Sequence, residues 1–188
     1  MQYLGGKSRL GGRIVQAILD DLGVKRLSLA VDLCSGAGGV THRLADVSDR
    51  VIAVEAHPGL VALHKAVQGG WVPPEHVSEE EYKALRVMRH VDPADVLTAF
   101  AGFGCSFGGR WWEGYARRKA GDTAAYNFAR AAGASLSQRR RTNVDHVAND
   151  ALAWNCEGAE VVYCDPPYAG TKWYSGMPKP VEGSFWRR

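Results

Sequence analysis

One junction constrains this chain more than any other. A short apolar run over residues 27–33 passes without a spacer into Cys34-Ser35-Gly36-Ala37-Gly38-Gly39, and then into helix-like sequence over 40–47. Strand, glycine loop and helix in that order open an α/β unit, because glycine alone tolerates the backbone angles of so tight a reversal. A second apolar strand over 50–54 ends at Glu55. Pro58 then stands where a first-turn proline starts a helix, and Gly69-Gly70 closes it. Two consecutive strand-helix units predict a parallel sheet with right-handed crossovers. Upstream, Ile14, Val15, Ile18, Leu19 and Leu22 share one face of an amphipathic helix over 10–22. Gly23 is placed to cap it in the left-handed region.

Farther along, Ser78-Glu79-Glu80-Glu81 is a capping box, so a helix is expected to run to about His90. The pattern changes from Asp92 to Asn143. Glycines and aromatics crowd 102–115, and a helix is expected over 123–132. Residues 144–147 and 160–164 supply two more strands. The expected organisation is therefore a sheet domain built from 1–70 and 144–188, with 71–143 as a helical insertion. A length of 188 residues suits one domain carrying such a lobe. No apolar stretch approaches the roughly 20 residues of a membrane helix, and residues 1–7 lack an apolar signal core, so a cytoplasmic location is expected. The four cysteines form no CxxC pair and are read as reduced, mostly buried residues; the six histidines show no metal spacing.

In open α/β sheets ligands bind beyond the carboxyl ends of the strands. Gly36 and Gly38 allow the backbone to approach a ligand, and Glu55 can accept hydrogen bonds from the vicinal hydroxyls of a ribose. A glycine turn followed by an acid about 20 residues on is common to nicotinamide and adenosylmethionine sites. The third glycine of a dinucleotide fingerprint would fall at Thr41, which weighs against nicotinamide. By itself the loop is equally consistent with a structural turn.

Asp165-Pro166-Pro167-Tyr168 is sharper. Two prolines remove two backbone donors and fix φ, so the chain leaves its strand stiffly with the Asp165 and Pro166 carbonyls free to accept. If the Asp165 carboxylate takes one N–H of an exocyclic amine and the Pro166 carbonyl the other, electron density stays on the nitrogen. Its lone pair then faces an incoming methyl sulfonium. Tyr168 can stack on a base that has left the duplex. The alternative is an ordinary strand-to-turn exit.

Net charge is only +3, yet residues 101–143 hold eight Arg or Lys against Glu113 and Asp122. Such a local field suits a polyanion held on one face, although a solvated helix face produces the same composition. Trp111, Trp112 and Tyr115 lie among Arg110, Arg117 and Arg118. They either stack against nucleic acid or form the core of the inserted lobe.

Taken together, these motifs resemble the Dam-type DNA adenine-N6 methyltransferases of bacteria and phages. Tyr3-Leu4-Gly5-Gly6-Lys7 looks like that family's aromatic-x-Gly-Gly-Lys motif, and Asp32-Leu33-Cys34-Ser35-Gly36-Ala37-Gly38 is similar to its methionine-binding loop. Glu55 matches its ribose-binding acid, 103–110 its aromatic-rich segment, and Asp165-Pro166-Pro167-Tyr168 its catalytic motif. The resemblance implies a Rossmann-like S-adenosylmethionine-dependent methyltransferase sheet. It implies transfer of a methyl group from S-adenosylmethionine to N6 of adenine in DNA, without a metal. Cofactor contacts carry over to Tyr3, Lys7, Asp32, Glu55 and Asp165, with Gly36 and Gly38 lining the pocket. Asp165, Pro166, Pro167 and Tyr168 carry the chemistry. Arg110, Arg117, Arg118, Lys119, Arg139, Arg140 and Arg141 are the expected DNA contacts.

Family members continue well past the catalytic tetrapeptide and add strands to a seven-stranded sheet. This sequence is expected to form about four strands with one unprotected edge. A homodimer or a second chain that completes the sheet follows as an expectation. A decayed methylase kept as a non-catalytic DNA-binding protein is the alternative. Amino methyltransferases acting on RNA or protein amides usually show Asn at the first motif position, so Asp165 favours DNA.

Overall fold

The computed structural model describes residues 1–3, 5–117 and 128–167. The chain divides into two compact units. One comprises Gly5–His57 with Arg141–Arg188, the other Met1–Leu4 with Pro58–Arg140. The sequence drew the boundaries at 70/71 and 143/144, so the helix after Glu55 groups differently from what was expected.

The first unit is an α/β layer around a four-stranded, all-parallel sheet. Its strands are β1 (Leu27–Asp32), β2 (Ser48–Glu55), β3 (Val144–Ala148) and β4 (Val161–Tyr163), in the order β3-β2-β1-β4. All four strands foreseen in the sequence are present. Central β1 and β2 read as apolar runs because both faces are covered: Ala30, Val31, Val51, Ala53 and Val54 are all buried. Helix α1 (Gly11–Leu22) contributes Val15 and Leu19 to this core. Helix α2 (Thr41–Val47) contributes Leu44 and Ala45, and Val144 of β3 completes it. Gly23 ends α1 at φ 66°, in the left-handed cap its position predicts. At the start of α1, a Cβ on Gly11 would fall 2.4 Å from the Gly39 carbonyl, so only glycine lets this helix begin against the loop.

The strand order fixes where a ligand can sit. After β1, β2 and β3 have been laid down on one side, the chain crosses back to pair β4 with the far side of β1, with Asp32 opposite Tyr163. The carboxyl ends of β1 and β4 thus flank a switch in strand order, the place where open α/β sheets bind ligands.

The second unit is helical: α3 (Pro58–Gln68), α4 (Glu79–Met88), α5 (Val96–Gly104) and α6 (Phe128–Ser137). Helix α3 packs on α5 and α6, which is why it belongs here rather than with the sheet. The capping box is formed: Ser78 Oγ accepts from the Glu81 N–H at 3.1 Å, and the Glu81 carboxylate accepts from the Ser78 N–H at 2.7 Å. The helix ends at Met88, slightly before the expected His90. The helix expected over 123–132 is seen as α6 from Phe128 onward; residues 123–127 lie outside the described ones.

Helix α5 was not foreseen. Its sequence, Val-Leu-Thr-Ala-Phe-Ala-Gly-Phe-Gly, is apolar all round and lacks the polar face that reveals a surface helix, because seven consecutive residues from Thr98 are buried. Asp95 caps it by accepting the Thr98 N–H at 2.7 Å. Its glycines serve packing, since a Cβ on Gly102 would fall 2.4 Å from the Trp111 ring. Trp111 and Trp112 are 4% and 1% exposed, which decides between the two readings of the aromatics in favour of core. Among the described residues no helix is long and apolar enough to cross a membrane.

Candidate functional site

Six of the residues singled out in the sequence converge at the carboxyl ends of the sheet strands. Immediately after β1, the Ser35 N–H donates to the Val54 carbonyl at 3.0 Å, which ties the glycine loop to β2. The Gly38 N–H closes a turn on the Ser35 carbonyl at 2.8 Å, with Gly36 at φ 52° and Gly38 at φ 75°. Both values lie where a Cβ is penalised, so the loop needs glycine at these two positions. His42, in the first turn of α2, is 2.7 Å through Nδ1 from the Gly38 carbonyl and pins the far side of the loop.

Glu55, ending β2, accepts the Gly36 N–H at 2.8 Å and the His57 N–H at 2.8 Å. Burial raises its pKa, and these backbone donors partly offset that. A carboxylate has about four lone-pair sites, so the three backbone donors Gly36, His57 and Ala56 leave acceptor capacity for a ribose hydroxyl. His57 is itself buried, which holds its pKa down to about 4 and keeps the ring neutral.

Asp32, the last residue of β1, is 1% exposed. Thr41 Oγ1 donates to its Oδ2 at 2.7 Å and the Cys34 backbone N–H also steadies the carboxylate, while among the described residues no further donor reaches the buried Oδ1. Desolvation pushes its pKa up to about 7; the Thr41 hydrogen bond opposes the rise, and Glu55 and Asp165 add to it. From the other side of β1, Asp165 lies two residues past the end of β4. Lys7 Nζ lies 2.5 Å from Asp165 Oδ2 and 3.1 Å from the Gly5 carbonyl. The result is three carboxyl groups, on the ends of β1, β2 and β4, with one lysine among them.

Such an array suits a ligand that has both positive charge and hydroxyl groups. Thr41 was missed as a site residue; it occupies the place of the third fingerprint glycine and holds Asp32 instead. The remaining expected residues are placed as follows. Pro166 is buried and Pro167 exposed, while Tyr168 lies outside the described residues. Tyr3 belongs to the helical unit, its ring 5.8 Å from that of Phe103.

Several expected DNA contacts are engaged with acids. Arg117 reaches Glu79 through Nε at 3.0 Å and Nη2 at 2.5 Å, and Arg110 meets Glu113 at 3.2 Å. Arg141 lies in the sheet unit, 2.8 Å from Asp46. Arg139 is partly buried, which lowers its pKa, and Arg140 is exposed. Arg118 and Lys119 lie outside the described residues. Among the four free cysteines only Cys105 is buried; Cys34 and Cys156 are half-buried and Cys164 is exposed, against the expectation that most would be interior. The exposure follows from Cys164 having already left β4. Among the described residues no group of His, Cys, Asp and Glu could hold a metal.

The class that fold and site define is an α/β protein with a parallel sheet and a carboxylate-rich site at its strand ends. Compared with known proteins, the chain matches no family model and no curated sequence.

Proposed function

We propose that this chain is the cofactor-binding and catalytic part of an S-adenosylmethionine-dependent DNA adenine-N6 methyltransferase. The observation that carries this reading is the Lys7–Asp165 pair at the β1/β4 switch point, beside the glycine loop and Glu55. The two most specific motifs, far apart in sequence, meet there in one site.

The residues present fit the cofactor. Gly36 and Gly38, both at positive φ, offer a loop without Cβ obstruction, and Glu55 keeps lone pairs for ribose hydroxyls. Among the described residues the buried Asp32 Oδ1 meets no donor in hydrogen-bonding geometry, and a buried carboxylate of this kind is stabilised by a cationic group. When bound, S-adenosylmethionine supplies an activated methyl group on a sulfonium sulfur.

The chain's own part is to bind and orient. Asp165 accepts one N–H of the adenine amine and the Pro166 carbonyl accepts the other, which leaves the nitrogen lone pair directed at the transferable carbon. Lys7 fixes the Asp165 carboxylate in place. Tyr168 is assigned from the sequence alone to hold the plane of the extruded base.

The test is to incubate unmethylated DNA with methyl-labelled S-adenosylmethionine and analyse the nucleosides. Label in N6-methyladenine, lost in Asp165→Ala, is the expected result. A chain that binds both cofactor and DNA yet leaves no label in N6-methyladenine sinks the catalytic reading in favour of a non-catalytic DNA-binding protein.

A further inference from the structure

Asp32 ends β1 and Thr41 begins α2, so the two residues stand at opposite ends of the glycine loop. Backbone groups hold the interior of the loop, where the Ser35, Gly36 and Gly38 N–H groups donate to Val54, Glu55 and Ser35. The ends are joined by side chains: Thr41 Oγ1 donates to Asp32 Oδ2 at 2.7 Å, and both residues are buried. Capping does not explain that hydroxyl. Val40 holds the N-cap position of α2 with no side-chain hydrogen bond, and Thr41 donates to the strand before the loop. A glycine at position 41, as a dinucleotide fingerprint requires, has no donor for this contact.

Burial opposes the charge of Asp32. Desolvation, the largest influence, raises its pKa to about 7; the Thr41 hydrogen bond lowers it, Glu55 raises it, the Cys34 N–H lowers it and Asp165 raises it. Glu55 faces it from the end of β2 and Asp165 from beyond β4, where Lys7 is paired to Asp165. The Cys34 and Cys164 thiols lie beside it, and His42, next to Thr41 on α2, has its ring on the Gly38 carbonyl. Two further acids thus bear on a carboxyl group whose charged form a hydroxyl and a backbone N–H favour.

We infer that Thr41 is a positioning residue of this site: its hydroxyl clasps Asp32 across the base of the glycine loop and keeps that carboxylate available as the counter-charge of a cationic ligand. A charge in low-dielectric surroundings acts on a nearby cation without touching it, so the buried position of Asp32 is compatible with this part. The sulfonium and ammonium groups of S-adenosylmethionine supply the positive charge, and that choice of ligand rests on the proposed function. Capture of the cation draws Asp32 into its ionised form. The proton that the carboxyl group carried leaves to the buffer, and the O–H electron pair stays on the carboxylate.

The test is calorimetric titration of the full chain with S-adenosylmethionine at about pH 7, in two buffers of different ionisation enthalpy, which counts protons released per cofactor bound. The difference between the parent and Asp32→Asn isolates this carboxyl group from Glu55 and the rest. In the parent it should amount to about half a proton, because the folded-state pKa lies near the working pH. Thr41→Val keeps the size of the side chain and removes the donor. It should release about half a proton more than the parent and bind S-adenosylmethionine about tenfold to hundredfold more weakly. Thr41→Ser keeps the hydroxyl and should restore both the proton count and most of the affinity. Thermal melting of each variant shows that the sheet unit survives.

Equal proton release by the parent, Thr41→Val and Asp32→Asn overturns the inference, while cofactor binding by all three leaves the proposed function intact. Weaker binding by Thr41→Val and Thr41→Ser alike, with the parental proton count, marks packing alone and overturns it too. A folded parent that binds no S-adenosylmethionine overturns the proposed function, and the inference with it.

Discussion

Lys7 Nζ lies 2.5 Å from Asp165 Oδ2, although 158 positions separate the two residues in the chain. Their side chains are only 22% and 19% exposed, so solvent screens the pair incompletely. The contact joins the segment after Gly5-Gly6 to the exit of β4.

Replacing Lys7 by Met removes a charge-assisted hydrogen bond, worth about 1.5–3 kcal/mol. Asp165 is then left without the cation that orients it, and kcat for methyl transfer is expected to fall tenfold to hundredfold. Lys7→Arg should recover part of the loss. Single-turnover rates on DNA at saturating cofactor make the comparison, and unchanged rates in Lys7→Met would remove Lys7 from the site.

For Glu55, both carboxylate oxygens are used: one on the Gly36 N–H, the other on the His57 N–H. Glutamine presents only one acceptor oxygen, and its amide would set N–H against N–H at the other position. Such a mismatch costs about 1–3 kcal/mol. Glu55→Gln should weaken S-adenosylmethionine binding by tenfold to hundredfold in calorimetric titration, with Glu55→Asp less affected because acceptor chemistry is kept.

Asp32 and His57 give the pH dependence opposite signs. The folded-state pKa of Asp32, about 7, lies above the ordinary value of 3.8, so the native state binds the extra proton between these values. Stability from this group is therefore greatest at low pH and is lost as pH rises from about 4 to 7. His57 has its pKa lowered to about 4 from 6.5. Its contribution is present above 6.5 and is lost as pH falls towards 4. Asp32→Asn removes the first term alone. Urea titrations at pH 5 and pH 8 should find the variant's advantage over the parent larger at pH 8, with an upper bound of about 4 kcal/mol. An advantage that shrinks on going to pH 8 would contradict the burial argument.

A Cβ at Gly102 would meet the rings of Trp111 at 2.4 Å and Trp112 at 2.7 Å, both of them buried. Overpacking of this kind costs about 1–3 kcal/mol. Gly102→Ala should lower the melting temperature of the helical unit, and tryptophan fluorescence should report the altered packing. Parental stability would show that the helix shifts freely to admit the methyl group.

The sheet, the end of α1 and the starts of α3 and α4 were legible in the sequence because their signals are local. Apolar runs of strand length, the cap glycine at 23, the proline at 58 and the capping box at Ser78 each act within a few residues, so neighbours alone specify them. Helix α5 was not legible. Burial on every side erased its periodicity, and Gly102 and Gly104 read as breakers until Trp111, Trp112 and Ala132 are seen against them. The roles of Trp111 and Trp112 were undecidable for the same reason, since the sequence does not say which aromatic face is covered.

At the site, the sequence by itself determined the chemical types: a glycine loop, an acid on β2, a lysine after paired glycines, and the Asp-Pro-Pro exit. Backbone stereochemistry and side-chain inventory are properties of residues and survive without a fold. Only the tertiary structure decided that Lys7 pairs with Asp165, that Asp32 is buried, and that Arg117 is matched by Glu79. Distance and dielectric set those outcomes, and both arise only when segments far apart in the sequence are folded against one another.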